Sequence, residues 1–92
     1  MNITVEYWAQ LRTAAGQPFE AIELPAAASL ADLLEHVAAR HGPALRSVLF
    51  DQAGKPRTSN IILVNQEMVR LSECGPLTPN AVVTLLSPMA GG

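Results

Sequence analysis

The sequence is poor in several residue types that mark common protein classes. Cysteine occurs once in 92 residues, aromatic residues make up 4% of the chain and charged residues 15%. The lone cysteine, Cys74, cannot form an internal disulfide, which is typical of a cytoplasmic protein. It also excludes an iron–sulfur protein whose cluster is held by four cysteines.

The sequence also lacks concentrated positive charge and long apolar runs. Six basic and eight acidic residues are spread along the chain and give a net charge of -2. Without a basic cluster, nucleic-acid binding has no electrostatic basis. No apolar run reaches the roughly 18 residues of a membrane span, and residues 1–6 do not resemble a signal peptide. We therefore expect a cytoplasmic protein that binds neither nucleic acid nor a membrane.

The hydrophobic content and the residue pattern predict one α+β domain over residues 1–86. Hydrophobic residues make up 49% of the chain, enough for a single core without metal or disulfide support. Residues 1–8 alternate between apolar and polar, as in a half-buried strand. A turn at residues 14–18 separates this strand from a second one at residues 19–24. The two strands are predicted to form an N-terminal hairpin, although charges on both faces leave the register of the second strand open.

The clearest predicted helix follows this hairpin. Ser29 is a favourable N-cap with Asp32 three residues later, and Gly42 followed by Pro43 marks the end. The apolar positions repeat with helical spacing at Leu30, Leu33, Leu34, Val37 and His41. Residues 43–49 are predicted to add one short helical turn.

Three further strands complete the expected fold. Residues 61–64 form a short apolar strand, residues 68–71 a short edge strand and residues 81–86 a continuous apolar strand. The order of a hairpin, a helix and a return to the sheet predicts a β-grasp fold with its last strand parallel to the first and a right-handed crossover. A ferredoxin-like fold needs a second full helix, for which the chain has no room.

The usual catalytic and metal-binding side chains do not form a site in the sequence. His36 and His41 are five residues apart on one helix, so about 140° separates them and they cannot share a metal. Cys74 lacks a local histidine or helix N-terminus that would lower its pKa, so we interpret it as a spectator thiol. We expect no catalytic and no metal-binding residue.

The C-terminal residues are the best candidate for a functional site. No Asp, Glu, Lys or Arg follows residue 73, so the carboxylate of Gly92 is the one formal charge expected after it. Residues 87–92 are predicted to form a tail with a reach of about 20 Å. Because glycine allows close approach, Pro88, Met89, Ala90 and Gly91 are expected to enter a narrow channel in a partner and deliver the Gly92 carboxylate.

Other interpretations of this ending stay open. Small residues are common where chain termini fray, and two glycines can come from a cloning vector. A pure interaction module would not need Gly91 or Gly92 for its function. A partner of the tail would also contact the exposed side of the sheet, where Arg12 is expected to set its orientation.

Several segments resemble one known family over essentially the whole chain. They are Ala9-Gln10-Leu11-Arg12 followed by Ala15-Gly16, the pair Val64-Asn65, and Pro76-Leu77-Thr78 followed by Val83, Leu85, Pro88 and Gly91-Gly92. These residues are similar to the ubiquitin-like sulfur-carrier family, which includes the small subunit of molybdopterin synthase and the thiamine-pathway sulfur carrier.

The resemblance implies a chemistry for Gly92 that the spacing of residues does not show. An ATP-dependent, ubiquitin-activating-like enzyme would adenylate the Gly92 carboxylate, and a sulfur donor would convert the adenylate to a thiocarboxylate. The tail would then insert into an acceptor enzyme such as the molybdopterin synthase large subunit. The carrier itself would hold no cofactor, because ATP is used by the activating partner.

The receiving pathway has more than one candidate. Molybdopterin synthesis is the first. The loop at residues 51–60 and the strand at residues 60–65 look longer than in the molybdopterin synthase pattern, which favours a carrier for cysteine synthesis or another thiolation pathway, thiamine and tRNA thiolation included. A ubiquitin-like protein modifier, joined through Gly92 to lysines of other proteins, would use the same ending.

Overall fold

The computed structural model of the chain describes residues 1–87. The strands are β1 (Asn2–Ala9), β2 (Phe19–Glu23), β3 (Ile61–Val64), β4 (Glu67–Val69) and β5 (Val82–Ser87). The helices are α1 (Gln10–Ala15), α2 (Leu30–His41) and α3 (Pro43–Leu49), with a 3-10 turn at Leu71–Glu73. In this part of the chain, no helix combines the length and the apolar character that a membrane span requires.

The five strands form one mixed sheet in the order β2-β1-β5-β3-β4. The last strand, β5, lies between β1 and β3, parallel to β1 and antiparallel to β3. β1–β2 and β3–β4 are antiparallel pairs. The predicted β-grasp arrangement, with the last strand parallel to the first, is therefore confirmed.

Helix α2 begins as the sequence predicts and covers one face of the sheet. The Ser29 hydroxyl accepts a hydrogen bond from the Asp32 amide at 3.0 Å, and the Asp32 carboxylate accepts one from the Ser29 amide at 2.9 Å. This reciprocal pair satisfies two amides that the first helical turn leaves without partners. The buried side of the helix packs into the core with the inward side chains of the sheet. Its buried residues are Leu30, Leu33, Leu34, Val37 and Ala38.

The connection between the first two strands differs from the predicted simple turn. It contains α1, a helix of six residues whose Leu11 is completely buried. Gly16 ends this helix in the left-handed region with φ 77° and donates its amide to the Arg12 carbonyl oxygen. A single buried apolar residue gives no helical periodicity, and Ala9 supplies no side-chain cap. The short helix therefore left no signal in the sequence pattern.

The β3–β4 turn is tied to the start of β5 through Asn65. Asn65 and Gln66 both have positive φ, 50° and 72°, as a tight two-residue hairpin turn requires. The Asn65 side-chain oxygen accepts a hydrogen bond from the Val82 amide at 2.9 Å, and the Asn65 amide donates to the Val82 carbonyl at 2.8 Å. Asn65 thus has a structural function in positioning the last strand.

Two strands end one or more residues away from their predicted limits. β5 continues to Ser87, which was predicted to belong to the tail, and the Ser87 side chain is buried. The edge strand β4 covers residues 67–69, and the 3-10 turn takes the place of its predicted end at Leu71.

The register of β2 places Glu20 inside the protein, where it contacts three polar side chains. The Tyr7 hydroxyl donates a hydrogen bond to Glu20 Oε2 at 2.5 Å, and His41 Nε2 contacts the same oxygen. Arg40 Nε lies 3.1 Å from Oε1, which has no aligned hydrogen bond and is stabilised by charge alone. The Arg40 side chain is exposed on α2, but it reaches back to this carboxylate.

The contacts in this cluster shift the pKa of the Glu20 carboxyl and that of the Tyr7 hydroxyl in opposite directions. Burial raises the pKa of the Glu20 carboxyl, but hydrogen bonds from Tyr7 and His41, together with the nearby positive charges, outweigh burial and lower that pKa. Burial, followed by the Glu20 carboxylate, raises the pKa of the Tyr7 hydroxyl. Near neutral pH, Glu20 is therefore ionised and Tyr7 neutral.

The lowered pKa of Glu20 predicts an acid-dependent loss of stability. The ionised Glu20 carboxylate contributes fully to the free energy of unfolding above the ordinary carboxyl pKa of about 4.3. This contribution disappears as the pH falls through the lowered pKa that Glu20 has in the folded protein. At pH 7 we expect Glu20→Gln to lower the free energy of unfolding by about 1.5–3 kcal/mol, the range for hydrogen bonds to a charged group. This difference should shrink below pH 4.

Urea unfolding at pH 7 and at pH 3.5 measures both effects. Glu23→Gln is the matched control, because the Glu23 side chain is 78% exposed and, within residues 1–87, its one ion pair is with the N-terminal amine. If the free energies of unfolding of Glu20→Gln and the parent differ by the same amount at both pH values, the lowered pKa of Glu20 is contradicted.

Candidate partner-binding face and C-terminal exit

The C-terminal end of β5 fixes where the predicted functional residues leave the sheet. Leu86 pairs with Trp8 and Ser87 with Ala9, so the chain leaves the sheet beside the end of β1 and the start of α1. The predicted site, Gly92 with Gly91, Ala90, Met89 and Pro88, lies outside the described residues. Its base, however, is held by the central strand of the sheet.

The side of the sheet opposite the helices exposes a set of large apolar residues. Cross-strand pairs place Trp8, Leu86 and Ile61 in one row, next to the C-terminal exit. A second row joins Phe19, Glu6, Thr84, Leu63 and Met68. Trp8, Phe19 and Met68 are 49%, 62% and 71% exposed, which is unusual for large apolar side chains. We call these two rows the open face.

The centre of the open face is polar and ordered. The Thr84 hydroxyl donates a hydrogen bond to Glu6 Oε1 at 2.9 Å, across the parallel pair of β1 and β5. The open face is thus an apolar surface with one acidic group at its middle.

Arg12 places a positive charge beside the exit. Its Nε donates a hydrogen bond to the Tyr7 carbonyl oxygen at 3.1 Å, and its guanidinium carbon lies 5.0 Å from the centre of the Trp8 ring. A cation at this distance is attracted to the face of an indole ring. Helix α1, which the sequence pattern did not reveal, therefore places Arg12 against Trp8 of β1, beside the end of β5.

The other candidate residues do not assemble into a site. His36 is exposed on α2, whereas His41 belongs to the Glu20 cluster on the inner side of the sheet. Cys74 is a free, half-buried thiol in the connection before β5. In residues 1–87, no group of three His, Cys, Asp or Glu side chains is arranged to hold a metal ion.

Part of this surface could be anticipated from the sequence. The sequence predicts that a partner contacts the exposed side of the sheet and that Arg12 orients it, but it does not name Trp8, Phe19 or Met68. The alternation in β1 contains the signal for Trp8, because the residue after buried Tyr7 must point to the other face. Phe19 was hidden by the uncertain register of β2.

Comparison with known proteins finds relatives that match over the complete chain. The chain is 34% identical over 92 residues to the molybdopterin synthase sulfur carrier subunit of Chlamydomonas reinhardtii, with 100% of both chains covered. Its structure is similar to the solution structure of small archaeal modifier protein 1 from Methanosarcina acetivorans, with a TM-score of 0.81 and 26% identity over 99% of this chain and 96% of that one.

A further solved structure supports the fold. SAMP1 from Haloferax volcanii matches with a TM-score of 0.88 over 100% of both chains, at 24% identity. The model of the ThiS family matches residues 5–92, so the match includes the ending that the sequence analysis identified as the candidate site. The predicted relationship to sulfur carriers is confirmed: this chain belongs to the ThiS family.

Proposed function

We propose that this protein is a sulfur carrier that presents the carboxylate of Gly92 to other enzymes, most specifically as the small subunit of molybdopterin synthase. The observation that supports this best is the 34% identity to a molybdopterin synthase sulfur carrier subunit, which extends over both chains completely. The ThiS family match through residue 92 includes the proposed reactive end.

The proposed chemistry divides the work between the carrier and its partners. An ATP-dependent, ubiquitin-activating-like enzyme joins the Gly92 carboxylate to AMP and releases pyrophosphate. A sulfide equivalent from a sulfur donor then attacks the acyl carbon; the C–S bond forms, the C–O bond to AMP breaks, and AMP leaves. The product is a thiocarboxylate, a nucleophile attached to a folded domain. In this proposal the carrier has no active site of its own and binds no cofactor.

The geometry at the end of β5 supports delivery into a partner. The sheet holds the chain through Ser87. The five residues from Pro88 to Gly92 have a maximum reach of about 17 Å, which is the limit for delivery of the reactive carbon. Because the apolar row of Trp8, Leu86 and Ile61 borders the exit, an enzyme that binds this row also receives the C-terminal residues. The Arg12 charge fixes the orientation of such a partner.

The first prediction of this proposal concerns the mass of the protein. After co-expression with its activating enzyme and sulfur donor, the intact protein should gain the mass difference between sulfur and oxygen, because one carboxylate oxygen is replaced. Intact-mass spectrometry measures this change. The chain with one alanine added after Gly92 is the control and should gain nothing. A parent chain that is adenylated but never gains sulfur would refute the carrier function.

The second prediction concerns the width of the partner's channel. Gly91→Val should block adenylation, because a branched side chain cannot pass where a glycine fits, while thermal unfolding stays unchanged. Gly75→Val is the matched control: a Cβ at Gly75 meets no atom within 4 Å, and this residue lies far from the C-terminus in sequence. ATP-dependent formation of the acyl-adenylate is the readout. Equal activation of both variants would argue against a narrow channel.

The third prediction concerns the open face. Trp8→Ala should weaken binding to the activating enzyme by about five-fold or more, because a buried interface tryptophan commonly contributes over 1 kcal/mol. His36→Ala, an exposed substitution on α2, should leave the affinity unchanged. Isothermal calorimetry without ATP measures binding separately from chemistry. An unchanged affinity of the Trp8 variant would place the partner on another surface.

A protein modifier is the second candidate function, and the likeness to small archaeal modifier protein 1 favours it. In that case Gly92 forms isopeptide bonds with lysines of other proteins. Covalent adducts that disappear when Gly92 is deleted would support the modifier function. A thiocarboxylate without such adducts would support the carrier alone.

A further inference from the structure

A cleft of about 1040 Å³ opens at the β3–β4 edge of the sheet, between the outer strands and the helices. Its floor is aliphatic and consists of Leu34, Leu49, Ile62 and Leu85. Its rim is formed by residues 55–61 and 68–73. Leu34 and Leu49 of the floor come from α2 and α3, and Ile62 and Leu85 face them from the sheet. The cleft borders the open face at Ile61 and Met68, which belong to both surfaces.

Positive charge is concentrated around this cleft. Lys55, Arg57 and Arg70 line it, three of the six basic residues of the chain, and Glu73 is the one acidic residue among the described lining residues. Within residues 1–87, none of these three cations lies at ion-pair distance from a carboxylate. The cleft is therefore an electropositive site on a chain whose net charge is -2.

The rim is held in place by hydrogen bonds to α3. Arg57 Nε donates to the Ser47 carbonyl oxygen at 2.8 Å, and the Arg57 amide donates to the Leu49 carbonyl at 2.9 Å. Asn60 donates its side-chain amide to the Val48 carbonyl at 2.8 Å. A site already ordered before binding loses less conformational entropy when a ligand arrives.

The acidic residue of the same loop does not neutralise these charges. The Asp51 carboxylate accepts hydrogen bonds from the amides of Ala53 and Lys55 at 2.9 and 3.0 Å, so it is committed to the turn. The cations on the rim remain available to an external anion.

We propose that this cleft binds an acidic segment of a partner protein, with an apolar side chain on the aliphatic floor and carboxylates at Lys55, Arg57 and Arg70. The combination of an apolar floor and a basic rim fits such a segment. Nucleic acid fits less well, because no aromatic side chain is among the described lining residues to stack on a base. The proposal does not depend on acyl chemistry at Gly92.

Binding of a defined peptide tests this proposal on the full chain. The probe is acetyl-Glu-Glu-Leu-Leu-Glu-Glu-amide, and the matched peptide has glutamine in place of each glutamate. In ¹H–¹⁵N NMR titrations, shift changes should concentrate at residues 55–62 and 68–73. The acidic peptide should bind about ten-fold more tightly than the glutamine peptide, as expected for three exposed ion pairs of about 0.5 kcal/mol each.

Charge variants test whether the rim is responsible. Lys55→Gln and Arg70→Gln should each weaken binding of the acidic peptide by about two-fold, whereas Arg46→Gln, the same change of charge outside the cleft, should not. Arg57 is left intact because it anchors the loop. Equal affinity for the two peptides, shifts centred elsewhere, or equal losses in all three variants would overturn the proposal. Tighter binding of hexathymidylate at the same residues would assign the cleft to nucleic acid instead.

Discussion

The parallel pairing of β1 with β5 is the constraint on which the rest of the structure depends. It joins the two ends of the described chain at the centre of the sheet, with six residue pairs from Thr4–Val82 to Ala9–Ser87. Because β5 has neighbours on both sides, its position is fixed by β1 and β3 together. The point at which the C-terminal residues leave the domain is therefore set by the central strand of the sheet.

Charged side chains lie at three places around this sheet, and each group has a different effect. On the inner side, Glu20 is paired with Arg40 and His41, which stabilises the contact between β2 and α2. On the open face, Glu6 is held by Thr84 among apolar side chains. At the far edge, the three cations of the cleft rim have no carboxylate at ion-pair distance among the described residues. The interior charges thus serve stability, and the two exposed surfaces are the ones for which we propose binding partners.

The sequence predicted the architecture better than the details of the site. Alternation in residues 1–8, the Ser29 cap and the apolar run before Ser87 were sufficient for the β-grasp order, because each element has a local signal of its own in the sequence. Helix α1 was missed since only Leu11 is buried in it. The inward position of Glu20 was undecided, because its partners Tyr7 and His41 are distant in sequence and become neighbours only through the fold. The chemistry at Gly92 came from family resemblance.

Hydrogen exchange of the β5 amides tests most directly whether a fixed sheet delivers the C-terminal residues to an enzyme. The amides of residues 82–87 should be equally protected in the free protein and in the ATP-bound complex with the activating enzyme, while new protection arises on Trp8 and its neighbours. Loss of protection in β5 on complex formation would show that the last strand separates from the sheet during delivery. That result would contradict the account.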